Sequence, residues 1–576
     1  MLKGLFAGLL RRNPARAGGD EPAAELEQAV RLLQLHDDAG AARVCEQLLQ
    51  RDPRLVKAWE LAGVAALNLG VYPLACERFE RVLALAGEDA QALANAAEAN
   101  RRADRCERAL ELIARALALK PDFAPFLHIR VLALEDCWRA EEALAACREA
   151  LALHPDFARL HTSYFTLLNR AGADPRVIFE AHCRWAERFA APSGGVPAHG
   201  NAPQPERRLR VGYVSADFRR HAMSDFFLTL LEHHDPARVE AYCYTNTSVI
   251  DQFTRRCEEL APHWRDIVSL SDAAAAAAIR RDDIDILIDL SGHTSGNRLG
   301  LFALKPAPVQ VTYLGYPGTT GLAQMDYRIT DALADPPGRS DAYYRERLLR
   351  LPHSLWCFAP PLRMPEIGPL PALAAGHITF GSLNSAFKLT PRQVALWSRL
   401  LLAQPESKLV LAGVPVGAAR AGISREFELN GVAPTRLEFL GFLPWDEFWA
   451  LHHRIDIALD SFPSNGGATT CETLWMGVPV VNLAGETFLS RAGLSILTTA
   501  GLAGLVAHSE EEYMRIALDL AHDLAQLAQL RSSMRERMLG SPLCAAAAFT
   551  RGLEDCYRKA WSEWCARQAV AQGGAC

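Results

Sequence analysis

Pro53, Gly87, Pro121 and Pro155 stand at intervals of 34 positions, and no other feature constrains the first third of the chain so strongly. A second column keeps the same phase, with Ala41, Ala75, Ala109 and Ala143 recurring at that interval. A third holds Ala29, Gly63 and Ala97 before Val131 breaks it. Turn breakers in one column and small residues in two others describe a pair of closely packed helices, repeated four times from about residue 21. Such a unit cannot bury its apolar face alone, so neighbours must stack into an α-helical solenoid.

The second unit carries the tetratricopeptide pattern most fully, with Trp59, Ala62, Gly63, Ala75 and Phe79 in place and Gly87 closing it. Phe157–Leu168 opens a fifth unit that departs from the pattern and suits a cap, and Val177–Ala191 is also helical in pattern. The concave face of such a solenoid suits an extended peptide or another protein. Pro192 to Pro205 then collects Pro, Ser, Gly, Asn and His, the composition of a linker.

Past the linker the period changes. Apolar, β-branched runs alternate with helical stretches: Leu209–Ser215, Val239–Asn246, Ile284–Leu290 and Val309–Tyr313, then Ile378–Ser382, Leu409–Ala412, Leu437–Leu440, Ile455–Leu459 and Val478–Leu483. This alternation predicts parallel α/β sheets, split into two halves by the Pro-rich stretch Leu351–Leu373. The expected division is a flexible or amphipathic lead over 1–20, repeats and capping helices over 21–191, a linker over 192–208, lobes over 209–370 and 371–545, and a C-terminal helix and tail over 546–576.

Composition excludes several classes. A formal charge of −6 offers no global basic field for nucleic acid. The apolar runs fall far short of the roughly 18 residues a membrane span needs, and Leu5–Leu10 is too short for a signal peptide, so a cytoplasmic chain is expected. The 14 cysteines are dilute, without CxxC spacing, and read as reduced core residues.

Ligands of doubly wound sheets bind at the carboxyl ends of strands, and the loops there are unusual. Leu209–Ser215 runs into Ala216-Asp217-Phe218-Arg219-Arg220-His221, where a histidine can accept a proton near neutrality or bond a loop carbonyl. Ile286–Leu290 opens into SGHTSG (291–296), with His293 and backbone N–H groups to present. LGYPGTTG (314–321) has three glycines, which serve either close approach to a ligand or a plain turn. In the second half, Lys388 lies just past a strand end, where it can neutralise a diphosphate or be a solvated surface charge. Ile455–Leu459 leads through Asp460 and Gly466-Gly467 into a helix expected near Thr469, whose free N–H groups and positive dipole end suit phosphates. Glu472, expected in its first turn, can accept from ribose hydroxyls or compensate the dipole. There is no Walker GxxxxGK[ST], no well-placed GxGxxG and no His/Cys metal cluster; Asp283/Asp285 has DxD spacing but reads as surface charge at the wrong strand end.

With these residues in hand, the chain resembles the O-linked N-acetylglucosamine transferases of glycosyltransferase family 41, in the form of a compact bacterial homologue. The resemblance rests on the repeats, LRVGYVSADFRRH (209–221), LFALKPAPVQVTYLGYPGTTG (301–321), MDYRITD (325–331), LDSFPSNGGATTCETLWMGVPVV (459–481) and GETFLSRAG (485–493). It implies a two-lobed GT-B fold and inverting transfer from UDP-N-acetylglucosamine to serine and threonine of proteins. No metal or other cofactor is implied; UDP is the product.

His221 matches the family's active-site histidine, either general base or positioning group, and Lys388 the lysine at the diphosphate. Gly467, Ala468, Thr469 and Thr470 match the helix end under the phosphates, Glu472 a ribose-binding carboxylate, and Leu314 and Gly315 backbone near the sugar. Asn384, Ser385, Leu443 and Trp445 complete the implied donor site, and His263 is a further active-site candidate. The animal enzymes have a histidine at the place of Gly467 and a lysine at that of Trp445, on which uracil can stack here; they also have more repeats and a domain between the lobes. The implied partners are a UDP-sugar and a protein or peptide acceptor on the solenoid and cleft. Transfer to a polysaccharide or lipid, and a non-catalytic scaffold sensing UDP-sugar, are the other readings.

Overall fold

The computed structural model describes residues 20–190, 198–360 and 364–573; the expected lead, all but its last residue, and the first part of the expected linker lie outside them. The chain divides into two compact units, residues 1–167 with 415–425, and residues 168–414 with 426–576.

In the first unit the 34-residue period becomes geometry. Helices begin at Asp38, Tyr72, Cys106 and Ala140, and their partners at Val56, Ala90 and Ala124, each series in steps of 34. Ala41, Ala75, Ala109 and Ala143 are fully buried where paired helices touch. A Cβ on Gly63 would come 2.8 Å from the Phe79 ring, which explains a glycine inside a helix. A partly buried cluster joins repeats, with Arg101 donating to Glu98 and Asp136 at 2.8 Å each. Cys106 and Cys137 form a disulfide between consecutive repeats, with Cα atoms 5.6 Å apart. This corrects the reading of all the cysteines as reduced: residues 31 apart in sequence meet because one repeat stacks on the next.

The second unit contains two sheets. The first comprises β1 (Leu209–Ser215), β2 (Val239–Thr245), β3 (His263–Asp266), β4 (Ile286–Asp289), β5 (Val309–Thr312), β6 (Tyr327–Asp331) and β7 (Arg347–Leu351), in the order β3-β2-β1-β4-β5-β6-β7. The second comprises β8 (Thr379–Ser382), β9 (Lys408–Leu411), β10 (Leu437–Phe439), β11 (Ile457–Leu459), β12 (Val480–Leu483) and β13 (Val506–Ala507), in the order β10-β9-β8-β11-β12-β13. All pairings are parallel. Each sheet therefore reverses direction beside its first strand, between β1 and β4 and between β8 and β11, the two Rossmann-like switch points.

The last helix, Ala546–Gly573, returns to the first sheet, where Tyr327 donates to Glu563 at 2.6 Å and Glu554 accepts from the Asp235 N–H at 2.9 Å. The helix Pro175–Phe189 packs beside the same sheet through His182, whose ring shares a 2.8 Å hydrogen bond with the Tyr316 hydroxyl. Among the described residues no helix is long and apolar enough to cross a membrane.

Candidate active site

At the second switch point, the loops after β8 and β11 converge through one buried carboxylate. Asp460, the first residue past β11, accepts on Oδ1 from the N–H groups of Ser461 (2.9 Å) and Gly466 (2.8 Å) and from the Asn384 amide (3.1 Å). The Asn482 amide donates to its Oδ2 at 2.9 Å. Burial pushes the Asp460 carboxyl above the usual carboxylate range, opposed by the Gly466 N–H and the charge of Lys388. Asn384 thus ties the β8 loop to the β11 loop and turns its own oxygen to Lys388, whose ammonium donates to it at 3.3 Å and to the Asn465 carbonyl at 2.7 Å. Both acceptors are neutral, so the positive charge of Lys388 is not spent on an ion pair among the described residues. Burial lowers its pKa from the ordinary lysine value, against the pull of Asp460.

Directly after Gly466 the helix Ala468–Trp475 begins, with Gly467 as N-cap. Its first intrahelical bond runs from the Cys471 N–H to the Gly467 carbonyl, which leaves the N–H groups of Gly467, Ala468, Thr469 and Thr470 for an outside acceptor. Gly467 to Thr469 are half-buried rather than sealed, so an anion can reach this dipole end. The helix starts one residue earlier than expected, and Glu472 falls beyond the first turn. Dipole compensation in the first turn is therefore not its role; it is buried on the fifth helical residue.

At the first switch point, His221 follows β1. Its backbone N–H donates to Ser224 Oγ at 2.7 Å, its Nδ1 accepts from the Met223 N–H at 3.3 Å, and its Nε2 lies 4.0 Å from Asp217. With Nδ1 accepting, the ring proton of neutral His221 sits on Nε2. Leu314 after β5 is buried with φ 67°, and a Cβ on Gly315 would come 1.9 Å from the Leu290 carbonyl oxygen. The close approach that requires glycine at 315 is thus to the protein's own backbone.

Lobe-to-lobe contacts bring the two switch points together. Ser495 donates to Asp331 at 2.6 Å, Arg491 to the Leu333 carbonyl at 2.9 Å, and the buried Arg328 lies over the Phe488 ring at 4.9 Å. Arg220, next to His221, lies over Trp445 at 5.1 Å, occupying one face of the ring on which stacking was expected. Ser385 caps the short turn Ala386–Lys388, and Leu443 is half-buried just before the helix Trp445–Leu451.

Other expectations are corrected. The N–H groups of Ser291 and Gly292, the first two of SGHTSG, are taken by Asp289, at 3.1 and 3.0 Å, and the ring of His293 bonds the Thr320 carbonyl. His263 begins edge strand β3, at the amino end, paired with Glu240 at 3.0 Å and stacked on Tyr242. Asp285 is not surface charge: it is fully buried, holding the Arg210 N–H at 2.8 Å and the Arg207 guanidinium. Asp460, Asn465, Arg220 and Trp356 were missed; only the place of Asp460, immediately after a strand at a switch point, was a usable signal.

The profile of glycosyl transferase family 41 matches residues 198–358 and 370–553, more than half of the chain. The chain belongs to glycosyl transferase family 41. Among the relatives of this family 41 chain is the probable UDP-N-acetylglucosamine–peptide N-acetylglucosaminyltransferase SPINDLY of Petunia hybrida, 41% identical over 402 residues, which are 68% of this chain and 43% of that protein. The probable UDP-N-acetylglucosamine–peptide N-acetylglucosaminyltransferase SEC of Arabidopsis thaliana is 32% identical over 405 residues, 68% of this chain and 41% of that protein. The chain thus spans less than half the length of these curated relatives. A solved structure of a mutant O-GlcNAc transferase from Thermobaculum terrenum superposes with a TM-score of 0.81 at 35% identity, over 96% of this chain and all of that one.

Proposed function

We propose that this family 41 chain transfers N-acetylglucosamine from UDP-N-acetylglucosamine to serine or threonine hydroxyls of a protein acceptor, with inversion at the anomeric carbon. The observation that carries the reading is the pairing of Lys388, whose hydrogen-bond acceptors are both neutral, with the free N–H groups at the start of Ala468–Trp475. When the acceptor hydroxyl bonds to the anomeric carbon and the bond to UDP breaks, negative charge grows on the β-phosphate, and the hydroxyl proton passes to a phosphate oxygen of the departing UDP or to solvent. Preorganised donors in a partly dry site stabilise that charge without reorganising. No cofactor takes part in the reaction as proposed, because this charge is met by the lysine and the helix end. The names of the plant relatives and of the Thermobaculum enzyme support the donor and the protein acceptor.

We assign His221 to positioning rather than to proton abstraction, since its Nε2 must give up its own proton, and Nδ1 the Met223 bond, before it can take another. Gln in its place retains donor capacity, so His221→Gln keeps most of the rate if this assignment holds, and loses about 100-fold or more if the ring is the base. Lys388→Ala tests the main reading: folded by circular dichroism, it loses UDP release at least about 100-fold, as for removal of an oxyanion donor. Near-normal turnover by that variant contradicts the assignment.

A further inference from the structure

Trp356 lies in the connection between the two sheets and is only 8% exposed. Its ring meets Phe226 edge-on at 5.5 Å, on the helix Ser224–His233 that starts three residues after His221. Its outer ring also meets Gly467. A Cβ built there would come 2.9 Å from Cη2, 3.3 Å from Cζ3 and 3.6 Å from Cζ2 of the indole. The φ of Gly467 is −114°, outside the left-handed region, so the residue does not owe its identity to a positive φ. The indole ring fills the space a side chain would take.

The indole N–H has no hydrogen-bond partner and is closed off from solvent. A buried unpaired donor costs stability, so the ring is not held here by a hydrogen bond. What it supplies is volume against residue 467. Gly467 caps the helix whose free N–H groups face the site, so whatever fixes Gly467 also fixes those donors relative to Lys388.

We infer that Trp356 is a positioning residue of the donor site, setting the register of the helix end under the nucleoside diphosphate against the helix that follows His221. The inference rests on the function proposed above. It ties residues 356 and 467 together by volume: a larger residue at 467 displaces the phosphate-binding backbone unless the ring retreats.

Titration with UDP, and with UDP-N-acetylglucosamine, tests this on the full chain. Gly467→Ala weakens UDP binding about tenfold or more, and Gly467→Ala combined with Trp356→Phe, which removes the outer ring atoms facing 467, recovers most of that loss. A role confined to stability would move the melting temperature of these variants and leave UDP affinity alone. If Gly467→Ala binds UDP like the parent, or if the double variant binds no better than Gly467→Ala, the inference is overturned while the functional reading stands. A parent chain that binds neither UDP nor UDP-N-acetylglucosamine overturns the functional reading, and this inference with it.

Discussion

Lys388 shows how the electrostatics of one residue are set by neighbours that are not themselves reactive. Asn384 and Asn465 hold the ammonium by neutral oxygens, and Asp460 supplies a counter-charge at one remove, through Asn384. The sign of its pH dependence follows. Burial lowers the lysine pKa, so the ammonium is lost at a pH below that of an ordinary lysine, and affinity for a diphosphate falls as pH rises through that lowered value. A Lys388→Arg variant keeps its charge, because guanidinium does not deprotonate in this range. UDP titrations from pH 7 to pH 10 should therefore show an alkaline loss of affinity in the parent that is absent, or much smaller, in whatever residual binding the arginine variant retains. An identical alkaline loss in both would move the titration to another group.

At the scale of elements, the helical repeat was legible to the residue, since helix starts fall 34 apart as the breakers do. Strand β1 matches its expected range end to end, a largely apolar run buried on both faces except at Arg210. Strand β6 was not legible: Arg328 and Asp331 sit in it fully buried, and no apolar pattern betrays a strand with charges in the core. Only tertiary partners make it tenable, the carbonyls of Tyr316 and Gly318 for Arg328 and the Ser495 hydroxyl for Asp331. Strand β3 is a polar edge, and β13 is two residues long, too short to carry a period. The start of helix Ala468–Trp475 was legible because glycines, strand and helix sit together in sequence; the carboxylate and amides that hold the loop before it were not, because they meet only through the sheet order. Gly63→Ala, forcing a methyl group against the Phe79 ring, should destabilise the solenoid by about 1–3 kcal/mol. Thermal melting reads this directly, and an unchanged melting temperature would refute the close-packing account of that column.

At the scale of the whole molecule, the second unit is closed by chain that returns to its first strand. Helix Ala546–Gly573 buries Leu553, Tyr557 and Trp561 completely, with Tyr557 hydroxyl 3.3 Å from that of Tyr213 on β1. Each such side chain contributes roughly 1.5–3 kcal/mol by burial. A chain truncated before Ala546 should accordingly melt about 10 °C or more below the parent. An equal melting temperature would mean that the helix is dispensable to the first sheet. The net charge of −6 gives no attractive field for an anion, so the function proposed above requires local positive potential, from Lys388 and one helix end. The most direct test of the central claim is mass spectrometry of proteins incubated with the chain and UDP-N-acetylglucosamine, with the Lys388→Ala variant alongside. The account predicts N-acetylhexosamine on serine or threonine residues with the parent and none with the variant; UDP-N-acetylglucosamine left intact by the parent, or equal modification by both, would contradict it.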